Sequence, residues 1–312
     1  METFISTLHQ TLYLFLMIVI GFVLAKMKWL PKGADSVLAK MENMLFIPAL
    51  VMGTFMNDFT VARLSQVGGL FLFSFFLMIF VLPVAIFLPR LLTKDHFTRN
   101  IFTYGLAFAN FGYMGNSVVQ ALFPAYFSDY LIFTLPLYIL IYVWAVPTLL
   151  MSDQKTTLSQ KLKNCINPMM IAMLIGIVLG LLKTPFPQFE IPAFLSTSIT
   201  ALGNCMSPVA MILTGITVAQ IDLKKTFSNF SIYAITAIRL LIIPLVFVGV
   251  FRLLPLPNLF EVCAVCAVSM PLGLNTVVIP SAYGKDTSVA AGMALVSHLL
   301  SCITIPIIFM LM

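Results

Sequence analysis

Charge is scarce in this sequence. Across 312 residues there are eleven Asp and Glu, seventeen Lys and Arg and three His, so 9% of the chain is charged and 61% is hydrophobic. A soluble domain carries roughly 25% charge. The surplus of apolar surface has no water-facing use, and the chain reads as a polytopic membrane protein. Cysteine is also sparse: Cys165, Cys205, Cys263, Cys266 and Cys302 lie in or beside apolar runs, and no second pair or nearby His completes the Cys263-x-x-Cys266 spacing. Buried thiols are expected, with no metal site and no cofactor. Catalytic patterns are missing too: there is no HExxH, no pair of aspartates inside an apolar run and no Ser/His pair at useful spacing, so no catalytic residue and no enzyme is expected. A pore-lining ring of like charges or a filter repeat is absent, which weighs against a channel. The N-terminus, METFISTLHQ, has no Lys or Arg and so lacks a signal-peptide n-region. The net charge of +6 is scattered over links, which gives nucleic acid nothing to bind.

What is present is a series of ten apolar segments, each long enough to cross a bilayer: 4–25, 36–56, 65–89, 98–123, 127–151, 166–184, 191–219, 227–251, 258–283 and 287–311. The links between them are short and polar. Odd-numbered links, with their flanking turns, hold thirteen basic residues: Lys26, Lys28, Lys32, Lys40, Arg90, Lys94, Arg99, Lys155, Lys161, Lys163, Lys224, Lys225 and Lys285. Even-numbered links and the termini hold three, Arg63, Lys183 and Arg252. The positive-inside bias puts odd links in the cytoplasm and both termini outside a multi-pass cell-membrane protein.

The segments repeat. Asn116-Ser-Val-Val recurs as Asn275-Thr-Val-Val, Pro147 as Pro306 and Gly21 as Gly180, all at an offset of 159. Pro48 matches Pro208 at 160, and Pro83 matches Pro244 at 161. Five pairs in chain order imply two five-segment repeats, 1–156 and 157–312. Because five is odd, the second repeat enters the membrane upside down, a transporter signature.

Segments 4 and 9 are partners, and both are interrupted. One reads AFANFGYMGNSVV and the other AVSMPLGLNTVVIP. Gly112, Pro271 and Gly273 disfavour a continuous helix, by about 1 kcal/mol for Gly and about 3 kcal/mol for Pro. Asn followed by Ser or Thr suits a restart. Each segment is therefore expected to be two half-helices joined by an unwound stretch near the midplane, with the second half starting after Asn116 or Asn275. Unwound backbone survives at that depth only when packed in protein or lining a wet cavity. Two converging helix starts favour a small anion such as a carboxylate.

These stretches, together with GFVLAKMKWLPKGA, MLFIPALVMGTF, INPMMIAMLIGIVLGLL, GNCMSPVAMILTGITVA and IRLLIIPLVF, resemble the auxin efflux carrier family. Its members include the plant PIN auxin exporters and bacterial organic-acid permeases. The resemblance implies an all-α fold of ten helices in two inverted repeats, with crossed, broken helices 4 and 9, as in bile-acid/sodium symporters. It implies a scaffold of segments 1, 2, 6 and 7, commonly the contact of a homodimer. Segments 3–5 and 8–10 would form a transport domain moving like an elevator. The short link SDQKTTLSQKLKN replaces the long plant loop, which points away from plant regulation, and the bacterial members of the resembled family imply a small carboxylate such as malate or malonate.

Candidate substrate-binding residues are Asn116, Ser117, Asn275 and Thr276, with Gly115, Asn110 and Arg239. Arg239 is the one basic residue deep in a segment and suits either an anion or a clamp on backbone carbonyls. His298 and Glu42 are candidates for proton coupling. The other readings are a packing His and an ion pair of Glu42 with nearby Lys40. The function expected is secondary transport of a small organic anion across the lipid bilayer. The alternative is an anion channel or facilitator using the same crossover.

Overall fold

The computed structural model describes residues 2–61, 64–151, 167–183, 185, 186, 188, 190–220, 230–254 and 256–312. Arg63, Lys155, Lys161, Lys163, Cys165, Lys224 and Lys225 lie outside the described residues. Each of the ten apolar segments is helical. Segments 1, 3 and 10 are the helices Glu2–Lys26, Leu64–Phe87 and Ser288–Leu311. Segment 6 is Pro168–Leu182, and segment 7 is Ala193–Asn204 followed by Met206–Val218.

In three of the others a π turn lies at or just before a proline, whereas Pro83, Pro136 and Pro306 sit inside regular α-helix. A proline ring clashes with the carbonyl four residues back and offers no N–H, so the helix can widen there. Segment 2 runs Ala34–Met41, a π turn Glu42–Phe46, then Ile47–Asp58 with Pro48 in its first turn. Segment 8 runs Phe230–Ala237, a π turn Ile238–Ile242, then Ile243–Leu253 with Pro244. Segment 5 passes from Phe127–Leu140 into a π stretch, Ile141–Leu150, that contains Pro147.

Seven of the helical stretches are long and apolar enough to cross a membrane; Pro168–Leu182 and Asn258–Ser269 are shorter apolar helices. Large apolar side chains such as Leu72, Ile79, Phe80, Leu174, Val246 and Ile303 are exposed around the outside. Water would not tolerate that belt, whereas lipid does. The chain is an all-helical, multi-pass membrane protein.

Two helix pairs pack unusually tightly. The first helix runs along Met206–Val218, and Pro168–Leu182 runs along Ile47–Asp58. A Cβ at Gly21 would collide with the carbonyl of Ile212, and one at Gly180 with the carbonyls of Phe55 and Phe59. The two glycines that match in sequence thus do the same job on two different pairs. Segments 4, 5, 9 and 10 hold the densest core, where residues 101–111 are all buried.

Candidate functional site

Segment 4 opens with Asp95, whose carboxylate accepts from Thr98 N at 2.7 Å and caps the helix His96–Ala107. The chain then extends through Phe108. Segment 9 winds as Asn258–Ser269 and then extends at Met270, because the residue before a proline is pushed out of the helical region. The two unwound stretches cross. Ala109 and Leu272 form an antiparallel bridge, and Asn110 N donates to Pro271 O at 2.8 Å. Gly273 permits the approach, since a Cβ there would lie 2.7 Å from Phe108 O.

The helices restart differently from the sequence expectation. Segment 9 restarts as Asn275–Ala282, with Val277 N and Val278 N both donating to Leu274 O at 2.8 Å. Segment 4 resumes earlier than Asn116: a π turn, Phe111–Gly115, runs straight into Asn116–Leu122. Met114 N and Gly115 N donate to Asn110 O, so Asn110 stands at the helix start and Asn116 lies more than a turn inside. Gly112 belongs to the resumed helix rather than to the break, and a side chain there would strike the Tyr138 hydroxyl. Gly115 likewise makes room for Tyr130, whose hydroxyl donates to Phe111 O at 3.0 Å.

Arg239 holds the two preceding half-helices. It is 1% exposed, on the π turn of segment 8. Nη1 donates to Leu106 O at 2.8 Å, Nη2 to Val268 O at 3.0 Å and Nε to Met270 O at 3.3 Å. These are terminal carbonyls, at the negative ends of two helix dipoles, so one cation serves both. The side chain is spent on backbone, as in the clamp reading.

The two resumed helices begin at one water-sized cavity of about 20 Å³, whose lining includes Ile47, Asn110, Gly112, Tyr138, Gly273 and Asn275. At the resumed helix of segment 4 the first N–H groups have no acceptor within the helix and present donors, whereas in segment 9 Thr276 N donates to Gly273 O, and Val277 N and Val278 N to Leu274 O. Asn275 Nδ2 donates to the Tyr104 hydroxyl at 3.0 Å, and its Oδ1 accepts from the Tyr113 hydroxyl at 3.3 Å. Asn110 Nδ2 lies 3.0 Å from His298 Nε2, while His298 Nδ1 lies 2.8 Å from Ala294 O. A carbonyl only accepts, so Nδ1 carries the proton and Nε2 accepts from Asn110. His298 is thus a neutral, doubly bonded imidazole beside the crossing. The buried Oδ1 of Asn110 has no partner.

Ser117 faces elsewhere, and Asn116 does so in part, its amide lying by the Tyr138 hydroxyl of the crossover cavity. They line a second, polar chamber of about 160 Å³ with Tyr13, Gln120, Asn204 and Ser207. Ser117 Oγ donates to Ser207 Oγ at 2.7 Å, and Ser207 Oγ to Tyr113 O at 2.5 Å. Tyr113 thus links the crossover cavity to this chamber through its backbone oxygen, and Met206 lines both spaces. Thr276 is buried, its hydroxyl donating to Gly273 O at 2.8 Å within its own turn. Glu42 is fully buried and makes no ion pair with Lys40, which is exposed. Residues two apart point to opposite sides of a helix. The described cysteines are free; Cys263, Cys266 and Cys302 are buried, whereas Cys205 is exposed.

Sequence reasoning passed over the tyrosines. Tyr104, Tyr113 and Tyr130 are buried around the crossing, and Tyr138 lines the cavity. The signal was available: a phenol at mid-segment needs a polar partner when buried.

No curated protein matches the sequence. A family model does, that of the membrane transport proteins, over residues 6–160 and 152–309. Broken helices meeting at a polar crossing inside an apolar belt agree with that match, and the chain belongs to the membrane transport protein family, which includes the auxin efflux carrier and PIN-like proteins.

Proposed function

We propose that this membrane transporter is a secondary carrier of a small organic anion, a mono- or dicarboxylate such as malate or malonate, or an auxin-like acid. It works in the cell membrane by elevator-type alternating access. The observation that carries the reading is the meeting of two helix starts, with Asn110 and Asn275, at one cavity. The N–H donors at the start of segment 4 and the positive ends of two helix dipoles suit a carboxylate and need no basic side chain. The cavity, at about 20 Å³, holds water and not malonate, so cargo enters only when the boundary around the crossing opens. A space of that size favours a carrier over an open pore.

The larger frame is proposed with it: ten passes in two inverted repeats, with both termini outside. Segments 1, 2, 6 and 7 form the scaffold of a homodimer, and segments 3–5 and 8–10 move. The matched tight glycines, Gly21 and Gly180, support the repeat. Ser117 and Ser207, bonded between segments 4 and 7, lie across the boundary that would slide.

The test is a thermal-shift screen of purified protein with malate, malonate, acetate and indole-3-acetate, followed by exchange of the best one in liposomes. At least one carboxylate is expected to raise the melting temperature and to exchange saturably. Asn110→Ala and Asn275→Ala should weaken both effects at least tenfold. Carboxylate-independent ionic currents, with no shift from any acid, would overturn the reading.

A further inference from the structure

Glu42 is a carboxylic acid in the wrong place for a structural residue. It lies in the apolar stretch Ala34–Asp58, eight residues past its start, or about 12 Å along the helix axis. It is 0% exposed, and neither carboxyl oxygen has a hydrogen-bond partner. The π turn that carries it packs against Ala34–Met41, Ile47–Asp58, Pro168–Leu182, Ala193–Asn204, Met206–Val218 and Asn275–Ala282. Among the described residues, the charged side chains on those helices are Asp35, Lys40 and Asp58. Asp35 and Asp58 lie at the helix ends, and Lys40 points away. The titratable group that faces Glu42 from elsewhere is the Tyr113 phenol, which lies within electrostatic reach of it.

That neighbour matters. Tyr113 donates to Asn275 at the crossing and lines the crossover cavity. The resumed helix Asn275–Ala282 packs directly on the turn bearing Glu42. Ile47, five residues on from Glu42, lines the crossover cavity. The acid therefore sits one phenol away from the site where the anion is proposed to bind. An ionisable group kept at membrane depth without a partner is costly, and such groups mark proton and ion pathways. Arg239, which is also deeply buried, has three carbonyls to hold. Glu42 has none, so no fixed bond holds it in one protonation state.

We infer that Glu42 is the proton-coupling site of this carrier, binding one proton per cycle alongside the organic anion. The inference rests on the carboxylate reading of the crossover. The step is a simple protonation: the Glu42 carboxylate takes one proton from the face to which the site is open, becomes the neutral acid, and returns the proton as carboxylate at the other face. No electron moves, and water at each face is the only co-reactant. His298 is the less suited group, because both of its ring nitrogens are already engaged by Asn110 and Ala294.

The experiment uses the full chain in liposomes loaded with a pH-sensitive dye, with labelled malonate and malate as probes. Two rates are read: uptake driven by an inward proton gradient, and carboxylate–carboxylate exchange without one. The wild type is expected to show gradient-driven uptake about tenfold above the rate without a gradient, with one proton entering per carboxylate. In Glu42→Gln the ratio of driven uptake to exchange should fall at least tenfold, and dye acidification should vanish. Glu42→Asp, which keeps the acid, should recover part of both, and size-exclusion profiles identify any variant that misfolds. Independently, dicyclohexylcarbodiimide, which adds to neutral carboxylic acids in apolar surroundings, should label Glu42 by mass spectrometry, with labelling falling as pH rises. Undiminished proton influx in Glu42→Gln would overturn the inference. So would wild-type exchange that ignores the gradient, leaving the carboxylate reading intact. Exchange of neither acid, with no thermal shift in the screen above, removes that reading and this inference together.

Discussion

The two broken segments reach the crossing by different routes. Segment 9 breaks for a local reason: Pro271 forces Met270 to extend, and the helix restarts at Asn275. Segment 4 breaks at Phe108, Ala109 and Asn110, where neither Gly nor Pro stands. Its extended geometry is supplied by the partner strand, through the bridge to Leu272 and the bond to Pro271 O. Without a proline it restarts at once, and an added π turn carries Asn116 away from the centre. The pair teaches that one local breaker suffices: a second strand can be held open by the first when both are clamped at their ends. Arg239 is that clamp, and it treats the two segments alike.

Removing the clamp is therefore expected to have the largest effect. Arg239→Ala leaves the carbonyls of Leu106, Val268 and Met270 buried without a donor, each costing about 1–3 kcal/mol. Little folded protein should be recovered, as judged by size-exclusion yield and melting temperature. Arg239→Lys, with a point charge in place of a fork, should rescue only part. Normal yield and melting of Arg239→Ala would show that the crossing holds itself. Asn275→Ala comes next. It strands the Tyr104 and Tyr113 hydroxyls, for a stability loss of about 2 kcal/mol, and it removes a donor at the site. Asn110→Ala should cost less stability, because the Asn110 backbone N–H still reaches Pro271 while only His298 loses a partner. Asn116→Ala should change carboxylate affinity less than Asn275→Ala does, since that side chain lines the other chamber and meets the crossover cavity only through Tyr138. An affinity loss in Asn116→Ala as large as that in Asn275→Ala would restore the symmetric reading and break the comparison.

Much of this was legible in advance. The ten apolar segments, the interruptions in segments 4 and 9, and the Gly21 and Gly180 correspondence all come from composition and spacing, and the structure has helices and close contacts where these fall. The restart of segment 4 was not legible. Asn116-Ser reads as a cap by residue type, whereas the start falls at Asn110, fixed by a contact with a residue 161 positions away. A π turn also has no distinctive composition; it adds a residue to the turn and shifts every later side chain around the axis. The role of Arg239 was open between anion and backbone because a sequence shows donors but not the carbonyls they meet. Glu42 looked paired because Lys40 is close in number, which on a helix is not close in space.

The two segments also begin differently, far from the crossing, and this sets the smallest predicted effect. Segment 4 begins with a capped helix, Asp95 accepting from Thr98 N, whereas the first helix of segment 9 follows Pro257, which has no side-chain cap. The Thr98 backbone bond, helped by the Thr98 hydroxyl and by His96 and Arg99, holds the Asp95 carboxyl below its ordinary range. A depressed carboxylate contributes stability above its unfolded value, near 3.9, and loses it as pH falls through the folded value below that. Asp95→Ala should therefore melt slightly earlier than the wild type at pH 7, and the gap should close as the pH is lowered towards about 3. Because the group is fully exposed, salt should shrink the gap as well. The equivalent change at Asn258, where the side chain caps nothing, should give a gap that does not respond to pH. A gap for Asp95→Ala that widened on acidification would mean that the carboxyl acts there as a neutral acid, and the first turns of segments 4 and 9 would no longer differ in kind.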